Sequence, residues 1–188
     1  MKNGVVVLTA LQSELNAARA PSGVTVIYTG VGKVNTAIAT TQALQGHTPS
    51  LVVNYGTAGK IDASLRGLVE ISTVIQRDMM AMPLAPRGVT PLCDDHTHLA
   101  SGFDGVVCGT GDSFVTTSDP WLADNQVGVV DMELFAIARA CQHFCTPWRA
   151  FKFITDDAND FAADHWTANV ANGEDLFWDV LREKIIGA

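Results

Sequence analysis

The sequence predicts an α/β fold: a single three-layer α/β/α domain, residues 1–188, around a mixed, twisted central sheet. Three observations predict it. Short runs rich in β-branched residues alternate with longer Ala- and Leu-rich runs, which is the rhythm of strands and helices in turn. Several strand-like runs stop at glycine-rich segments, among them Thr29-Gly30-Val31-Gly32-Lys33 and Asn54-Tyr55-Gly56-Thr57-Ala58-Gly59. Two others stop at carboxylates, Val129-Val130-Asp131-Met132-Glu133 and Phe153-Ile154-Thr155-Asp156-Asp157. In open α/β sheets, groups just past the carboxyl ends of buried strands stand at the functional edge.

The elements follow in order. Val5 to Thr9 is a continuous β-branched run and reads as a buried strand. Ala10 to Ala20, Ala- and Leu-rich and closed by Pro21, reads as a helix. Val24 to Tyr28 is a second strand, leading through the Gly30-Val31-Gly32 turn into a helix from Val34 to Gln45. Leu51 to Asn54 is a third strand, ending in a glycine-rich turn, and Gly67 to Gln76 is β-rich. Residues 77 to 104, with Pro83, Pro86 and Pro91 and little periodicity, read as one long loop, a kind of segment that is usually functional. Gly105 to Gly109 and Gly128 to Asp131 are short strands, and Arg149 to Thr155 is the last central one. Glu133 to Phe144 is a helix, with Ala136, Ile137, Ala140 and Phe144 on the 3.6-residue period. Glu174 to Ile186 closes the chain as an amphipathic helix.

Hydrophobic residues make up 47% of the 188 and charged ones 17%, enough apolar material for one sizeable core. A formal charge of −8 argues against nucleic acid, whose phosphates demand a basic face. No apolar run reaches the roughly 20 residues of a membrane span, so no membrane partner is expected. The polar Gln12-Ser13-Glu14 soon after the first apolar run argues against a signal peptide or lipid anchor, and the cytoplasm is the expected compartment. Cys93, His96, His98, Cys141 and Cys145 have no zinc-finger spacing, so buried thiols and loop histidines are expected, with no metal and no cofactor.

The glycine-rich segments are weak signals singly. Thr29 to Lys33 lacks the GxxxxGK[ST] of a P-loop and the third glycine of a dinucleotide fingerprint. Asn54 to Gly59 could bring backbone amides close to a ligand, or be a plain turn. In Gly109-Thr110-Gly111-Asp112-Ser113-Phe114 the aromatic ring is either core or a flat surface for an aromatic ligand. Glu14, after the first apolar run, joins Glu133 and Asp156 as a third edge carboxylate. Three such acids suit acid/base chemistry, or serve as helix caps.

Taken together, Ala10-Leu11-Gln12-Ser13-Glu14, Thr29-Gly30-Val31-Gly32-Lys33-Val34, Asn54-Tyr55-Gly56-Thr57-Ala58-Gly59, Thr110-Gly111-Asp112-Ser113-Phe114-Val115, Val130-Asp131-Met132-Glu133 and Ile154-Thr155-Asp156 resemble the purine nucleoside phosphorylase and nucleosidase superfamily. The resemblance runs in the family's order from the start of the chain to about residue 160 and is strongest to the methylthioadenosine/adenosylhomocysteine nucleosidases. It implies a nucleoside phosphorylase-like fold, a small-molecule nucleoside as partner, a place in methionine salvage and a homodimer. It implies Glu14 as the acid that activates water and Asp156 as the acid that protonates the purine. Glu133, after Met132, would bind the ribose hydroxyls. Phe114 would stack on the base and the Val115 backbone read its edge. Thr57, with Ala58 and Gly59, would face the sugar, and Lys152 and Thr155 would complete the substrate-binding set.

The chain departs from that pattern in places. Lys152 stands where the family usually has Arg and cannot offer a bidentate fork. Thr57 and Thr155 replace Ser, Lys60 replaces a glycine, and Leu134 and Phe135 are bulkier than usual. Three functions compete: a nucleoside hydrolase, a phosphorylase, and an inactive nucleoside-binding protein. Phosphorylases of the superfamily usually carry Arg where this chain has neutral Asn54, and an ionised Glu14 would repel phosphate. Hydrolysis is therefore the expected chemistry.

Overall fold

The computed structural model describes residues 4–93, 97–159 and 162–187. His96, one of the loop histidines above, lies outside them. The described elements are β1 (Val5–Thr9), β2 (Val24–Tyr28), α1 (Lys33–His47), β3 (Leu51–Lys60), β4 (Leu68–Gln76), β5 (His98–Ala100), β6 (Val106–Thr110), α2 (Pro120–Asp124), β7 (Val127–Asp131), α3 (Leu134–His143), β8 (Trp148–Asp156), α4 (Ala162–Asn169) and α5 (Glu174–Leu181). The mixed sheet is as expected: strands run in the order β2-β1-β3-β7-β6-β4-β5, and β8 pairs with both β3 and β4. β1, β2, β3 and β8 are mutually parallel, as are β4, β6 and β7, while β3–β7, β4–β8 and β4–β5 are antiparallel.

These pairings close a ring, β3-β8-β4-β6-β7 and back to β3, from which β1 and β2 extend. Closure comes from the length of β3, which pairs β1 along its first half and β8 from Val52 to Gly59, and reaches β7 only at Gly59 and Lys60. Alternation of side chains then sorts the core. Val6, Leu8 and Val52 pack with Ala43 and Leu44 of α1 and Leu134, Ile137, Ala138 and Cys141 of α3. Val7, Val53 and Tyr55 point the other way, onto Phe177, Trp178 and Leu181 of α5. Each of those three side chains is fully buried, a gain of roughly 1.5–3 kcal/mol apiece on area grounds.

Four segments correct the sequence expectations. Ala10 to Ala20 is not an α-helix: it is a turn followed by a 3-10 turn at Ala17–Arg19. Its amides are taken elsewhere, Leu11 by the Glu14 carboxylate, Ala17 by the Tyr28 hydroxyl and Ala18 by the Asn16 side chain. Local polar competition overrides alanine's helix propensity here. The glycine-rich 54–59 segment is not a turn but the second half of β3, paired in register with β8. Residues 77–104 are broken by the edge strand β5. The last helix ends in a π-helical turn at Arg182–Ile186. Two further helices, α2 and α4, had no periodic signature.

Candidate active site

The two parallel strand sets overlap head-on where Gly59 and Lys60 pair with Val130 and Val129. A cavity of about 300 Å³ opens there, its wall including Glu14, Thr57, Ala58, Gly59, Phe114, Val115, Met132, Glu133 and Asp156. Those nine expected residues are thus brought together from β1, β3, β6, β7 and β8. Lys152 and Thr155 are not on the wall; both are buried behind it.

Glu14 is buried, and donors surround it. Oε1 accepts the Thr57 amide at 3.0 Å and its hydroxyl at 2.9 Å; Oε2 accepts the Leu11 amide at 3.0 Å and the Thr9 hydroxyl at 3.2 Å. The turn after β1 exists to make this cradle: Glu14 bonds back to the second residue beyond the strand.

Asp131 and Glu133 are two residues apart but face different tasks. The Asp131 carboxylate accepts the Leu134 amide at 2.9 Å, capping α3, and the Thr110 hydroxyl at 2.5 Å. Lys152 Nζ lies 2.7 Å from Oδ2, the oxygen that also accepts the Leu134 amide, both side chains sealed from solvent. Burial opposes this charge, but Lys152 and the hydrogen bonds hold the Asp131 carboxyl below its usual range. With the cap supplied by Asp131, Glu133 is free to reach the cavity. Gly32, at φ +90° where glycine is favoured, donates its amide to Glu133 Oε1 at 3.0 Å. Burial, then the charge of Asp131, pushes Glu133 up to about 7 against the pull of Lys152 and the Gly32 amide. Glu133 thus shifts between acceptor and acid near neutral pH.

Asp156 ends β8 beyond a bulge. Ala58 pairs with Ile154 but Gly59 with Asp156, so Thr155 is the extra residue. The bulge turns Asp156 toward the cavity, where it accepts the Ala158 amide and the Thr155 hydroxyl, each at 2.9 Å. Gly59 is required opposite: a Cβ there would lie 2.6 Å from Asp156 Oδ1.

The cations expected to matter for an anionic nucleophile are engaged. Lys33 Nζ is 2.5 Å from Asp78 and 3.7 Å from Asp112, and Lys60 Nζ is 2.9 Å from Asp157. Asn54 is buried, with its amide nitrogen 2.9 Å from the Leu8 carbonyl. Phe114 is 48% exposed at the cavity mouth. Trp166 of α4 and Arg77 at the end of β4 also line the cavity and were missed. Arg77 follows a strand as the acids do and could have been found by that rule; Trp166 sits in a stretch without periodicity. Of the thiols expected to be buried, Cys141 is, as is Cys108, but Cys93 and Cys145 are exposed, and among the described residues no three His, Cys, Asp or Glu side chains gather as metal ligands. No helix among them is long and apolar enough to cross a membrane.

A family model described as the phosphorylase superfamily matches residues 20–182. The chain belongs to the phosphorylase superfamily. Solved nucleosidases share the fold. The 5′-methylthioadenosine/S-adenosylhomocysteine nucleosidase of Colwellia psychrerythraea, in complex with adenine, is 21% identical with a TM-score of 0.77, over 90% of this chain and 89% of its own. The S-adenosylhomocysteine nucleosidase of Streptococcus pyogenes, in complex with 5-methylthiotubericidin, is 19% identical with a TM-score of 0.80, over 96% and 94%. The futalosine hydrolase of Helicobacter pylori is 18% identical with a TM-score of 0.80, over 91% and 92%. At these identities the likeness establishes this superfamily's mixed α/β fold.

Proposed function

We propose that this protein hydrolyses the N-glycosidic bond of a purine nucleoside, with a 5′-modified adenosine such as methylthioadenosine or S-adenosylhomocysteine as the first candidate, and releases the free base. The observation that carries this reading is the meeting of three differently surrounded carboxylates in one cavity. In it, Glu14 takes a proton from water, Asp156 gives one to the departing base, and Glu133 accepts the sugar hydroxyls. Cleavage builds positive charge on the sugar and negative charge on the base, so an acid at one end and a base at the other serve both. Phe114 stacks on the purine, and Thr57, Ala58, Gly59, Val115 and Met132 shape the rest; Lys152 and Thr155 support Asp131 and Asp156 from behind. A volume at the lower end of the ~300–1,000 Å³ usual for small-molecule sites suits one nucleoside.

Hydrolysis is favoured over phosphorolysis because Lys33 and Lys60 already have acidic partners and Asn54 is bonded within the sheet. An oxyanion nucleophile would need cations or several free amides aimed at it. The named nucleosidases and the futalosine hydrolase among the similar structures agree with this choice. We further take the working unit to be a single-domain, three-layer cytoplasmic protein acting as a homodimer in methionine salvage.

The test is a panel of nucleosides followed for free base, with and without phosphate. Phosphate should be unnecessary, free sugar should accumulate, and Glu14→Gln should lose turnover. A phosphate-stimulated rate with sugar-1-phosphate as product would make the protein a phosphorylase. Binding with no base release would make it a nucleoside-binding protein.

A further inference from the structure

Thr57 has a second partner besides Glu14. Its hydroxyl donates to Glu14 Oε1 at 2.9 Å and accepts the indole N–H of Trp166 at 2.8 Å, from a residue 109 positions away. Trp166 belongs to α4, and its side chain lines the cavity.

A hydroxyl has one proton and two lone pairs. With the indole occupying one lone pair and Glu14 taking the proton, Thr57 presents only its remaining lone pair. A group arriving beside it therefore meets an acceptor, and the neighbouring Glu14 carboxylate, which already accepts four donors, is an acceptor that takes one more by sharing a lone pair. A water between two acceptors gives one O–H to each, which turns its own lone pair away from both, toward the sugar. Without the indole, the Thr57 oxygen has two open lone pairs and its proton can turn toward the water or a sugar hydroxyl, so the water loses its fixed orientation.

We propose that Trp166 is a positioning residue for the attacking water, acting through the Thr57 hydroxyl to make Thr57 and Glu14 a matched pair of acceptors. The proposal rests on the hydrolase reading above. In the step it serves, the water oxygen bonds to the anomeric carbon as one water proton passes to Glu14. The C–N bond breaks with its electron pair going to the base, which takes a proton from Asp156.

Trp166→Phe keeps an aromatic ring and removes the N–H together with the five-membered ring that carries it. It should lower kcat roughly three- to tenfold, the worth of one neutral hydrogen bond, and move KM by less than about twofold. Thr57→Val should lower kcat by itself, and adding Trp166→Phe to it should cost nothing more, because the path from the indole runs through that hydroxyl. Additive losses in the double variant, an unchanged kcat in Trp166→Phe, or a loss confined to KM would each overturn the proposal. If no nucleoside is cleaved by the wild-type protein, it is the hydrolase reading that fails. The bond itself is read independently from the ¹⁵N indole resonance that disappears in Trp166→Phe. That resonance should shift in Thr57→Val, and one that stays in place refutes the link.

Discussion

Lys152 and Asp131 face each other at 2.7 Å with neither side chain reaching solvent, directly beneath the strand end that carries Glu133. A buried pair of this kind is costly to break on one side only, since the remaining charge is stranded. Lys152→Met should therefore destabilise the fold by about 3–5 kcal/mol in urea unfolding. Pairing it with Asp131→Leu should recover part of that loss. A Lys152→Met protein as stable as wild type would show that Asp131 is supported by Thr110 and the α3 amides alone.

The raised Glu133 gives a pH dependence whose sign can be worked out. Its carboxyl titrates near 7 in the folded protein and near ~4.3 when unfolded. Between those values the native state holds a proton that the unfolded chain has lost, so stability is fully present below about pH 4 and declines as pH rises through 7. The amount at stake is on the order of 3 kcal/mol. Glu133→Gln should remove this slope, making the variant relatively more stable at pH 8 than at pH 5 when each is compared with wild type. Nucleoside binding should run the opposite way in wild type, strengthening as Glu133 ionises, and be largely lost in the variant. Parallel urea titrations and equilibrium binding at the two pH values check both halves.

Asp156→Asn keeps the shape of the side chain and removes the transferable proton. Base release should fall roughly 10²- to 10⁴-fold while nucleoside binding persists, which is the usual worth of general acid catalysis. Single-turnover rates alongside a binding isotherm make the separation. Turnover at the wild-type rate would take Asp156 out of the chemistry.

The first half of helix α1 is turned inside out. Thr36 and Thr40 face the core, while Val34 and Ile38 are 71% and 56% exposed. Lys33, at the start of the helix, is paired with Asp78, which leads into a loop carrying exposed Met80, Met82 and Leu84. An apolar surface of this kind fits a contact with a second copy of the chain. Light scattering should give twice the chain's 20.0 kDa, and Val34→Asp should shift the protein toward the single-chain mass. A wild-type mass of one chain would remove the dimer.

Much of this was legible in sequence, for reasons that differ by residue. Strand β1 could be read from its unbroken β-branched run, and Glu133 and Asp156 from their place at strand ends, because burial and the edge rule act locally. The Ala10–Ala20 segment misled because its amides go to the side chains of Glu14, Tyr28 and Asn16, one of them in another strand. The glycines of β3 looked like a turn, yet they are strand residues stripped of side chains so that Lys152, Glu14 and Asp156 can approach. Trp166 was invisible because its only announcement is a hydrogen bond to a residue more than a hundred positions earlier. Lys152 was placed in the right neighbourhood, but which acid it would choose depended on depth behind the cavity wall.

The extra residue in β8 sets more than the direction of one carboxylate. Thr57 and Asp156 are carried on neighbouring strands whose hydrogen bonds continue up to the bulge, so the interval between the Thr57 hydroxyl and the Asp156 carboxyl is counted in backbone register and owes nothing to loop length. Loops around the mouth can change in sequence and size without altering that interval, so under the proposed function a new 5′ group would be accommodated with the cleavage geometry kept. The same counting makes the site intolerant of one kind of change. Deleting Thr155 alone would leave Asp156 opposite Gly59 but abolish the bulge that turns its carboxyl toward the cavity.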